Sequence, residues 1–118
     1  FFCRDSGLPV DARLDDPAAV ARVLQAQWRL GSGGGVLLCN PIPEAHALPR
    51  AVVDEAINQA LADCAAQGIS GKHTTPFLLQ RVNALTEGRS LAANVALVLA
   101  NARLAAQVAV AAAAAGAG

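Results

Sequence analysis

The sequence predicts an α/β protein, and two kinds of pattern support this fold class. Residues 36–39 (Val-Leu-Leu-Cys) form a continuous apolar run, which is typical of a strand that is covered on both faces. Longer segments on both sides of this run repeat apolar residues at helical spacing and are bounded by capping, proline and glycine signals. We therefore expect a helix-rich chain with one or two strands.

The segment before the first helix is predicted to contain a short strand and a loop. Residues 1–4 are mainly apolar and lead into a turn-type sequence at residues 5–7 (Asp-Ser-Gly). Pro9 disfavours a helix over residues 8–14, so this stretch is expected to be extended or irregular.

The first helix is predicted to begin at Asp16-Pro17. The Asp16 carboxylate can accept hydrogen bonds from free N–H groups, and proline at the first helical position loses no bond. Gly31 is the expected C′ residue that ends this helix. Its apolar residues recur at helical spacing: Val20, Val23, Leu24 and Trp28.

A second helix is predicted to start near Pro49 and to end at Gly68. Its apolar positions fall on one face, so they predict a buried stripe. The residues of this stripe are Val52, Val53, Ala56, Ile57, Ala60, Leu61 and Cys64.

Two further helices are predicted in the C-terminal half. Thr75-Pro76 repeats the pattern of a cap followed by proline, and Gly88 is expected to end that third helix. Ser90 is expected to cap the last helix. Residues 111–118 form an Ala/Gly tail of low complexity that is expected to fray, so the predicted domain covers residues 1–110.

Composition excludes several functional classes. Nine basic residues balance nine acidic ones, so net charge favours neither nucleic acid nor an acidic membrane as a partner. Three widely spaced cysteines form neither a disulfide framework nor a CxxC metal site; Cys39 and Cys64 are expected to pack as small hydrophobic residues. No signal peptide is visible, and we expect a cytoplasmic protein.

The last helix is long and apolar, which raises the possibility of a membrane span. A central charged residue opposes insertion, because arginine costs about 2.5–3.5 kcal/mol at the centre of a membrane helix. Arg103, together with Asn94, Asn101 and Gln107, therefore predicts that this helix does not cross a membrane.

Two glycine-containing segments have the composition of phosphate-binding loops, but their context differs. Residues 31–35 lead into the predicted strand, whereas a phosphate loop leads into a helix N-terminus. Gly71-Lys72 lacks the glycine that a Walker motif requires five residues earlier, where Ala66 stands. Lys72, which is the single lysine, is either an exposed loop residue or a Schiff-base former.

Metal and acid–base chemistry find little support in the sequence. His46 and His73 lie far apart, and neither has a second metal-ligand residue type at helical spacing. Adjacent acidic residues are accounted for by a helix cap and by a solvated helix face, so no acid–base pair is predicted.

Two asparagines are the candidate ligand-binding residues. Asn40 follows the predicted strand, at the position where ligands bind in α/β sheets; alternatively it bonds its own backbone at the strand exit. Asn94 and Asn101 are seven residues apart on nearly one helix face. An amide there can read the alternating C=O and N–H groups of a uracil-type ring, or it can join helices or face solvent.

The chain contains an ordered set of short motifs. They are Asp5-Ser6-Gly7, Pro9, Asp16-Pro17, Trp28, Gly34-Gly35, Asn40-Pro41-Ile42-Pro43-Glu44, Gly71-Lys72, Thr75-Pro76-Phe77-Leu78-Leu79, Ser90-Leu91 through Asn94, and Asn101-Ala102. As a set they resemble the pseudouridine-5'-phosphate glycosidases, also described as indigoidine-synthase-A-like proteins. The resemblance covers residues 1–110 and places them in the C-terminal third of the family. His73 departs from it, because an acidic residue is expected there.

The resemblance implies a layered α/β/α enzyme that forms a homotrimer. It implies reversible cleavage of the C–C glycosidic bond of pseudouridine 5'-phosphate, which gives uracil and ribose 5-phosphate. A lysine Schiff base and a divalent metal, Mn²⁺, held by an aspartate are further implications, and both groups are expected upstream of this chain.

The resemblance therefore assigns no catalytic and no metal-binding residue to this chain. It implies that Asn94 contacts the uracil base and that Asn40 is a weaker substrate-binding candidate. On this basis the chain alone is expected to be inactive. The alternative is a catalytically inactive remnant or an oligomerisation or interaction domain of the same fold.

Overall fold

The computed structural model describes residues 2–116, which contain four α-helices and two 3₁₀ turns. Contacts between Cα atoms divide the chain into two compact units. The first comprises Phe1–Ser6 and Pro41–Val98, and the second comprises Gly7–Asn40 and Leu99–Gly118. The helices are α1 (Pro17–Arg29), α2 (Arg50–Ala66), α3 (Thr74–Leu85) and α4 (Arg89–Gly116); the 3₁₀ turns are Glu44–His46 and Gly71–His73.

The prediction of an α/β fold was wrong, because residues 2–116 contain no β-strand. Residues 36–39 are irregular and exposed, and the Leu37 side chain is 88% accessible. An extended segment becomes a strand only when a neighbour pairs with its N–H and C=O groups, and the described chain offers no such neighbour. Residues 2–4 are also irregular, while Phe1 lies outside the described residues.

The predicted ends of α1 and α2 are confirmed. The two carboxylate oxygens of Asp16 accept hydrogen bonds from the N–H groups of Ala18 and Ala19, both at 3.1 Å. Gly31 follows α1 with φ +72°, and Gly68 follows α2 with φ +64°. Both glycines thus occupy the left-handed conformation that a C′ residue adopts.

The starts of α3 and α4 differ from the predictions. Helix α3 begins at Thr74, so Thr75 lies inside it and does not cap it. Helix α4 begins at Arg89, which places Ser90 in its first turn, where its hydroxyl contacts another side chain. Residues 111–116 continue α4 as helix, residues 117 and 118 lie outside the described range, and the fraying of this tail stays a prediction.

Two apolar clusters form the core of the first unit. One contains Ile42, Ala93 and Leu97, so it joins the segment after residue 40 to the N-terminal half of α4. The other contains Ala56, Ala60 and Val82, and it holds α2 against α3. The Phe2 ring packs against both clusters. Small alanines at the contact positions let these helices approach closely, which compensates for the scarcity of aromatic side chains.

The stripe predicted on α2 is partly confirmed. Val53, Ala56, Ala60 and Cys64 are buried, whereas Ile57 and Leu61 are exposed by 37% and 48%. Burial thus follows a narrower face than the apolar pattern. The predicted packing of the cysteines is correct for Cys64 and wrong for Cys39, which is exposed.

The N-terminal segment is tied to the first unit by hydrogen bonds to backbone oxygens. The N–H of Leu48 donates to the carbonyl of Phe2 at 2.8 Å. Arg4 donates to the carbonyl of Ile42 at 3.0 Å, and Arg50 donates to that of Ser6 at 2.6 Å. These bonds hold Phe2 in place beside α3 and α4.

The second unit combines α1 with the C-terminal part of α4. Val20 and Ala21 of α1 and Val108 of α4 are buried. The amide of Gln25 donates to the carbonyl of Ala112 at 2.9 Å, and the Asn40 amide donates to the side-chain oxygen of Asn101 at 3.0 Å.

Helix α4 has the length and composition of a membrane-crossing helix over Arg89–Ala115. One such helix is weak support for a membrane protein, because a core helix of a soluble protein can have the same length and composition. The absence of a membrane span remains a prediction from its polar residues.

Candidate functional site

A cavity of about 400 Å³ lies in the first unit, beside α3 and the first turns of α4. This volume falls within the range of small-molecule sites, which is about 300–1,000 Å³. Most of its wall is apolar, and the polar groups are amides and one hydroxyl. The lining residues are Phe2, Leu79, Gln80, Asn83, Ser90, Leu91 and Asn94.

Helical spacing explains how these side chains reach one cavity. Gln80 and Asn83 are three residues apart on α3, and Ser90 and Asn94 are four apart on α4, so each pair shares a helix face. The short connection after α3 brings the two faces together.

A buried hydroxyl fixes the connection between α3 and α4. The side chain of Thr86 is fully buried, and its Oγ1 donates to the carbonyl of Val82 at 2.8 Å. The same oxygen accepts a hydrogen bond from the N–H of Ser90 at 3.2 Å. Thr86 therefore anchors the first turn of α4 to the last turn of α3, and it sets the position of Ser90.

The amide of Asn94 is one of the unpaired polar groups of this cavity, beside that of the more exposed Gln80. Asn94 is half-buried, and its side chain makes no hydrogen bond to any part of the chain that the structure describes. Within residues 2–116, every fully buried side-chain nitrogen or oxygen has a hydrogen-bond partner. The unpaired amide atoms of Asn94 are therefore not fully buried. An amide in this position can donate and accept at once.

The cavity has the chemistry of a recognition site. Its lining contains no aspartate, glutamate, histidine, lysine or cysteine, as far as the described residues show. Ser90 is the single hydroxyl, and no base adjoins it that could activate it as a nucleophile. Apolar walls with a few amide groups are suited to binding a small molecule that is partly polar.

The second predicted residue, Asn40, lies in the other unit. Its Nδ2 donates to Oδ1 of Asn101, so part of its amide is already paired within the chain. Asn40 does not line the cavity that contains Asn94. The structure thus places the two candidates in separate units, and their roles as substrate-binding residues remain predictions.

The remaining sequence candidates lie on exposed turns. Lys72 and His73 belong to the 3₁₀ turn Gly71–His73, and His46 ends the turn Glu44–His46; all three are exposed. No group of three or more His, Cys, Asp or Glu residues among residues 2–116 is placed to hold a metal ion. These residues do not fit a Mn²⁺ site, so no chemical step is assigned to a metal here.

A second, more polar cavity of about 360 Å³ lies near the start of α2. Its two arginines, Arg4 and Arg50, donate to backbone carbonyls, and Arg50 also pairs with Asp54 at 3.3 Å. Because both guanidinium groups already bond the N-terminal segment or its neighbours, fewer of their N–H donors are available to a ligand.

Of the seven residues that line the cavity, the sequence predicted a ligand-binding role for Asn94 alone. Gln80 and Asn83 were available as a signal, because two amides at a spacing of three residues interrupt the apolar pattern of α3. Phe2 gave no local signal, because its position depends on hydrogen bonds to residues more than 40 positions away.

Comparison with known proteins gives a consistent result. A family model described as "Indigoidine synthase A like protein" matches residues 1–111. Pseudouridine-5'-phosphate glycosidases from two bacteria are similar in sequence. The protein from Cupriavidus pinatubonensis is 54% identical over 94% of this chain and 35% of its own length. The one from Caldanaerobacter subterraneus subsp. tengcongensis is 49% identical over 93% of this chain and 36% of its own length.

A solved structure is also similar to this chain. It is the prealnumycin C-glycosynthase AlnA in complex with ribulose 5-phosphate, with a TM-score of 0.87 and 36% sequence identity. The match covers 98% of this chain and 38% of the other. The chain thus spans about a third of the length of the curated relatives that it matches.

Proposed function

Because the chain belongs to the indigoidine-synthase-A-like family, we propose that it is the C-terminal part of a pseudouridine-5'-phosphate glycosidase. The reaction is reversible cleavage of the C–C glycosidic bond, with uracil and ribose 5-phosphate as products. Two findings support this proposal: the names of the curated relatives, and the similarity to a C-glycosynthase whose structure contains ribulose 5-phosphate.

Within that reaction we assign this chain to recognition of the base. The observation that carries this assignment is the Asn94 amide, which is half-buried and free of partners in the described chain, in a mainly apolar cavity of about 400 Å³. A uracil ring presents flat apolar faces and an edge of alternating C=O and N–H groups. The leucines suit the faces, and the amide suits the edge.

The bond-breaking chemistry is proposed to come from outside this chain. A C–C glycosidic bond has no heteroatom leaving group to protonate, so an iminium formed with a lysine is a suitable electron sink. Lys72 is exposed on a turn in the first unit and does not line the cavity, so it is not assigned this role. The Schiff-base lysine and the Mn²⁺ ligands are therefore proposed to lie elsewhere in the protein.

Two further assignments accompany this proposal. The protein is proposed to act in the cytoplasm as a homotrimer, and its substrate is a phosphorylated small molecule. A membrane or a nucleic acid is not expected as a partner, since basic and acidic residues balance.

A non-catalytic interaction domain is the competing function, and exposed apolar side chains favour it. Leu37 is 88% accessible and Val110 is 71% accessible. Apolar side chains in such numbers on a surface are typical of segments that pack against another structure. This alternative predicts no turnover of pseudouridine 5'-phosphate.

Uracil release decides between these functions. We would measure cleavage of pseudouridine 5'-phosphate with Mn²⁺ by the full protein that carries this chain, beside Asn94→Ala and Asn58→Ala. Asn58 is exposed on α2 and outside the cavity, so it serves as the matched control. Removing a base contact should raise KM for the substrate by about 10–100-fold, which corresponds to a lost hydrogen bond in a partly buried site.

Three outcomes of this assay distinguish the glycosidase from the interaction domain. Turnover by the unchanged protein and by Asn58→Ala, with impaired Asn94→Ala, supports both the reaction and the base contact. Turnover in which Asn94→Ala equals the unchanged protein contradicts the role of Asn94. A folded protein that releases no uracil refutes the glycosidase function and supports the interaction domain.

A further inference from the structure

Asn83 is the second asparagine of the cavity, and its amide oxygen faces the hydroxyl of a neighbouring side chain. The hydroxyl of Ser90 lies 3.5 Å from Oδ1 of Asn83 and donates to it. Ser90 is 2% accessible, so its hydroxyl has little access to water as an alternative partner. With Oδ1 engaged, the amide of Asn83 presents its Nδ2 group as a donor.

This Nδ2 group is available to a ligand. It makes no hydrogen bond within residues 2–116, and Asn83 is half-buried on the cavity wall. In the described chain, every fully buried side-chain nitrogen has a hydrogen-bond partner. The unpaired Nδ2 of Asn83 is therefore not fully buried. Asn83 thus supplies one donor, whereas Asn94 supplies one donor and one acceptor.

Asn83 and Asn94 together offer two donors and one acceptor, and the exposed Gln80 amide lies beside them. The imide part of a uracil ring carries the complementary set, since two carbonyls accept and the N–H between them donates. Cytosine replaces one of those carbonyls with an amino group, which would place two donors against each other. A donor with fixed orientation therefore discriminates between the two bases, while a freely rotating amide does not.

We propose that Asn83 is a specificity-determining residue of the base pocket and that Ser90 is the positioning residue that holds its amide as a donor. The proposal rests on the proposed function, because it takes uracil as the ligand of the cavity. It adds a residue that selects a carbonyl-bearing ring over an amino-bearing one. It also gives the Ser90 hydroxyl a function that helix capping does not provide, because Ser90 lies inside α4.

The Asn83→Asp substitution isolates the donor. A carboxylate still accepts from Ser90, but the N–H group that faces the ligand becomes an oxygen. We would determine inhibition constants of uracil, cytosine and ribose 5-phosphate for the full protein, with pseudouridine 5'-phosphate as substrate. Asn58→Asp adds the same charge on the exposed face of α2 and is the matched control.

The expected result is a change of base preference. Asn83→Asp should weaken the binding of uracil by about 10–100-fold, because a carboxylate oxygen then meets a carbonyl oxygen of the ring. It should strengthen the binding of cytosine, because the carboxylate can accept from the amino group. Binding of ribose 5-phosphate should stay unchanged, as it should for all three ligands in Asn58→Asp. If the new charge disrupts folding, Asn83→Leu removes the donor without charge and should weaken uracil alone.

Ser90→Ala tests the positioning role. Without the hydroxyl, the Asn83 amide can rotate and present its oxygen, so cytosine should bind more tightly while uracil binds about 3–10-fold more weakly. A residue with a structural role alone would weaken both bases equally.

Uracil affinity that is unchanged in Asn83→Leu, in an enzyme that releases uracil, overturns the role of Asn83 and leaves the proposed function intact. Equal weakening of both bases in Ser90→Ala overturns the positioning role. An unchanged protein that neither releases nor binds uracil overturns the proposed function and this inference together.

Discussion

The turn between α3 and α4 contains a residue in an unfavourable backbone conformation, and this gives a sharp stability prediction. Glu87 has φ +53°, and it is the one non-glycine residue with positive φ within residues 2–116. Its N–H donates to the carbonyl of Ala84 at 3.1 Å, while the N–H of Gly88 donates to that of Asn83 at 2.9 Å. These two bonds define a Schellman motif with Glu87 at C′.

The same motif ends α1 and α2, and it provides an internal comparison. At the end of α1 the C′ residue is Gly31, and its N–H donates to Trp28 at 3.0 Å. At the end of α2 the C′ residue is Gly68, and its N–H donates to Ala65 at 3.0 Å. Because glycine has no Cβ, it adopts this conformation without the steric penalty that glutamate meets.

The expected magnitude follows from two opposing terms. Relief of the left-handed conformation gains about 1–2 kcal/mol, and the greater freedom of glycine in the unfolded chain costs about 0.4–1 kcal/mol. Glu87→Gly should therefore raise the free energy of unfolding by about 0–1.6 kcal/mol, with the centre of that range at ~0.8 kcal/mol. The gain requires no new contact, because the Glu87 side chain is exposed.

Urea unfolding followed by far-UV circular dichroism would measure this change. The transition midpoint should rise with an unchanged slope, which indicates that the surface exposed on unfolding is the same in both proteins. The reciprocal variant Gly68→Glu should lower the midpoint, because it creates the same strain at the end of α2. A midpoint that falls in Glu87→Gly would refute the argument, since it would mean that the glutamate side chain stabilises the turn.

Two further stability predictions concern a contact within this turn and an ion pair between α2 and α3. Thr86→Val should lower the free energy of unfolding by about 1–2 kcal/mol in the same assay, because it leaves the N–H of Ser90 without its acceptor; equal stability would contradict the anchoring role. Hydrogen bonds from Arg81 and Gln59 lower the pKa of Asp63 below its usual value of 3.8, so its stabilisation is complete above that pH and is lost as pH falls through the lowered folded-state pKa. The midpoint difference between the unchanged protein and Arg81→Gln should accordingly vanish in acid, and a constant difference would count against the pair.

The helices were predictable because their signals are local. Asp16-Pro17 and Gly31 act on groups within one turn of the chain, so they define α1 wherever the rest of the protein lies. The errors at Thr75 and Ser90 are also local, because each concerns only the exact residue at which a helix begins. Each residue was assigned to a cap although the helix begins earlier, at Thr74 and Arg89.

The absence of a strand at residues 36–39 could not be predicted on this basis. An apolar run favours a buried segment, but burial needs a neighbour that covers it. Strand pairing also requires a second segment that is distant in sequence. In the described chain those side chains are exposed. The apolar run alone therefore did not determine a strand. Strand formation depends on pairing contacts, and residues 2–116 do not provide them.

The candidate site shows the same division between local and distant signals. Asn94 stood out because an amide interrupts an apolar helix, whereas Phe2 joins the cavity through backbone bonds that no sequence pattern announces. Asn40 was placed at the end of a strand that does not form, and its amide instead pairs with Asn101. The role of either asparagine in substrate binding stays a prediction until the variants are measured.

The chemistry of the cavity also limits what this chain can contribute to a reaction. Amides and a hydroxyl hold their protonation states across the physiological range, so they can select a ligand but cannot supply or remove protons. A pocket of this kind benefits from being rigid, and the Thr86 anchor together with the Ser90–Asn83 contact provides that rigidity between two helices. Base selection built on α3 and α4 can therefore be combined with bond cleavage performed by groups elsewhere in the protein, because the pocket need only orient the ring.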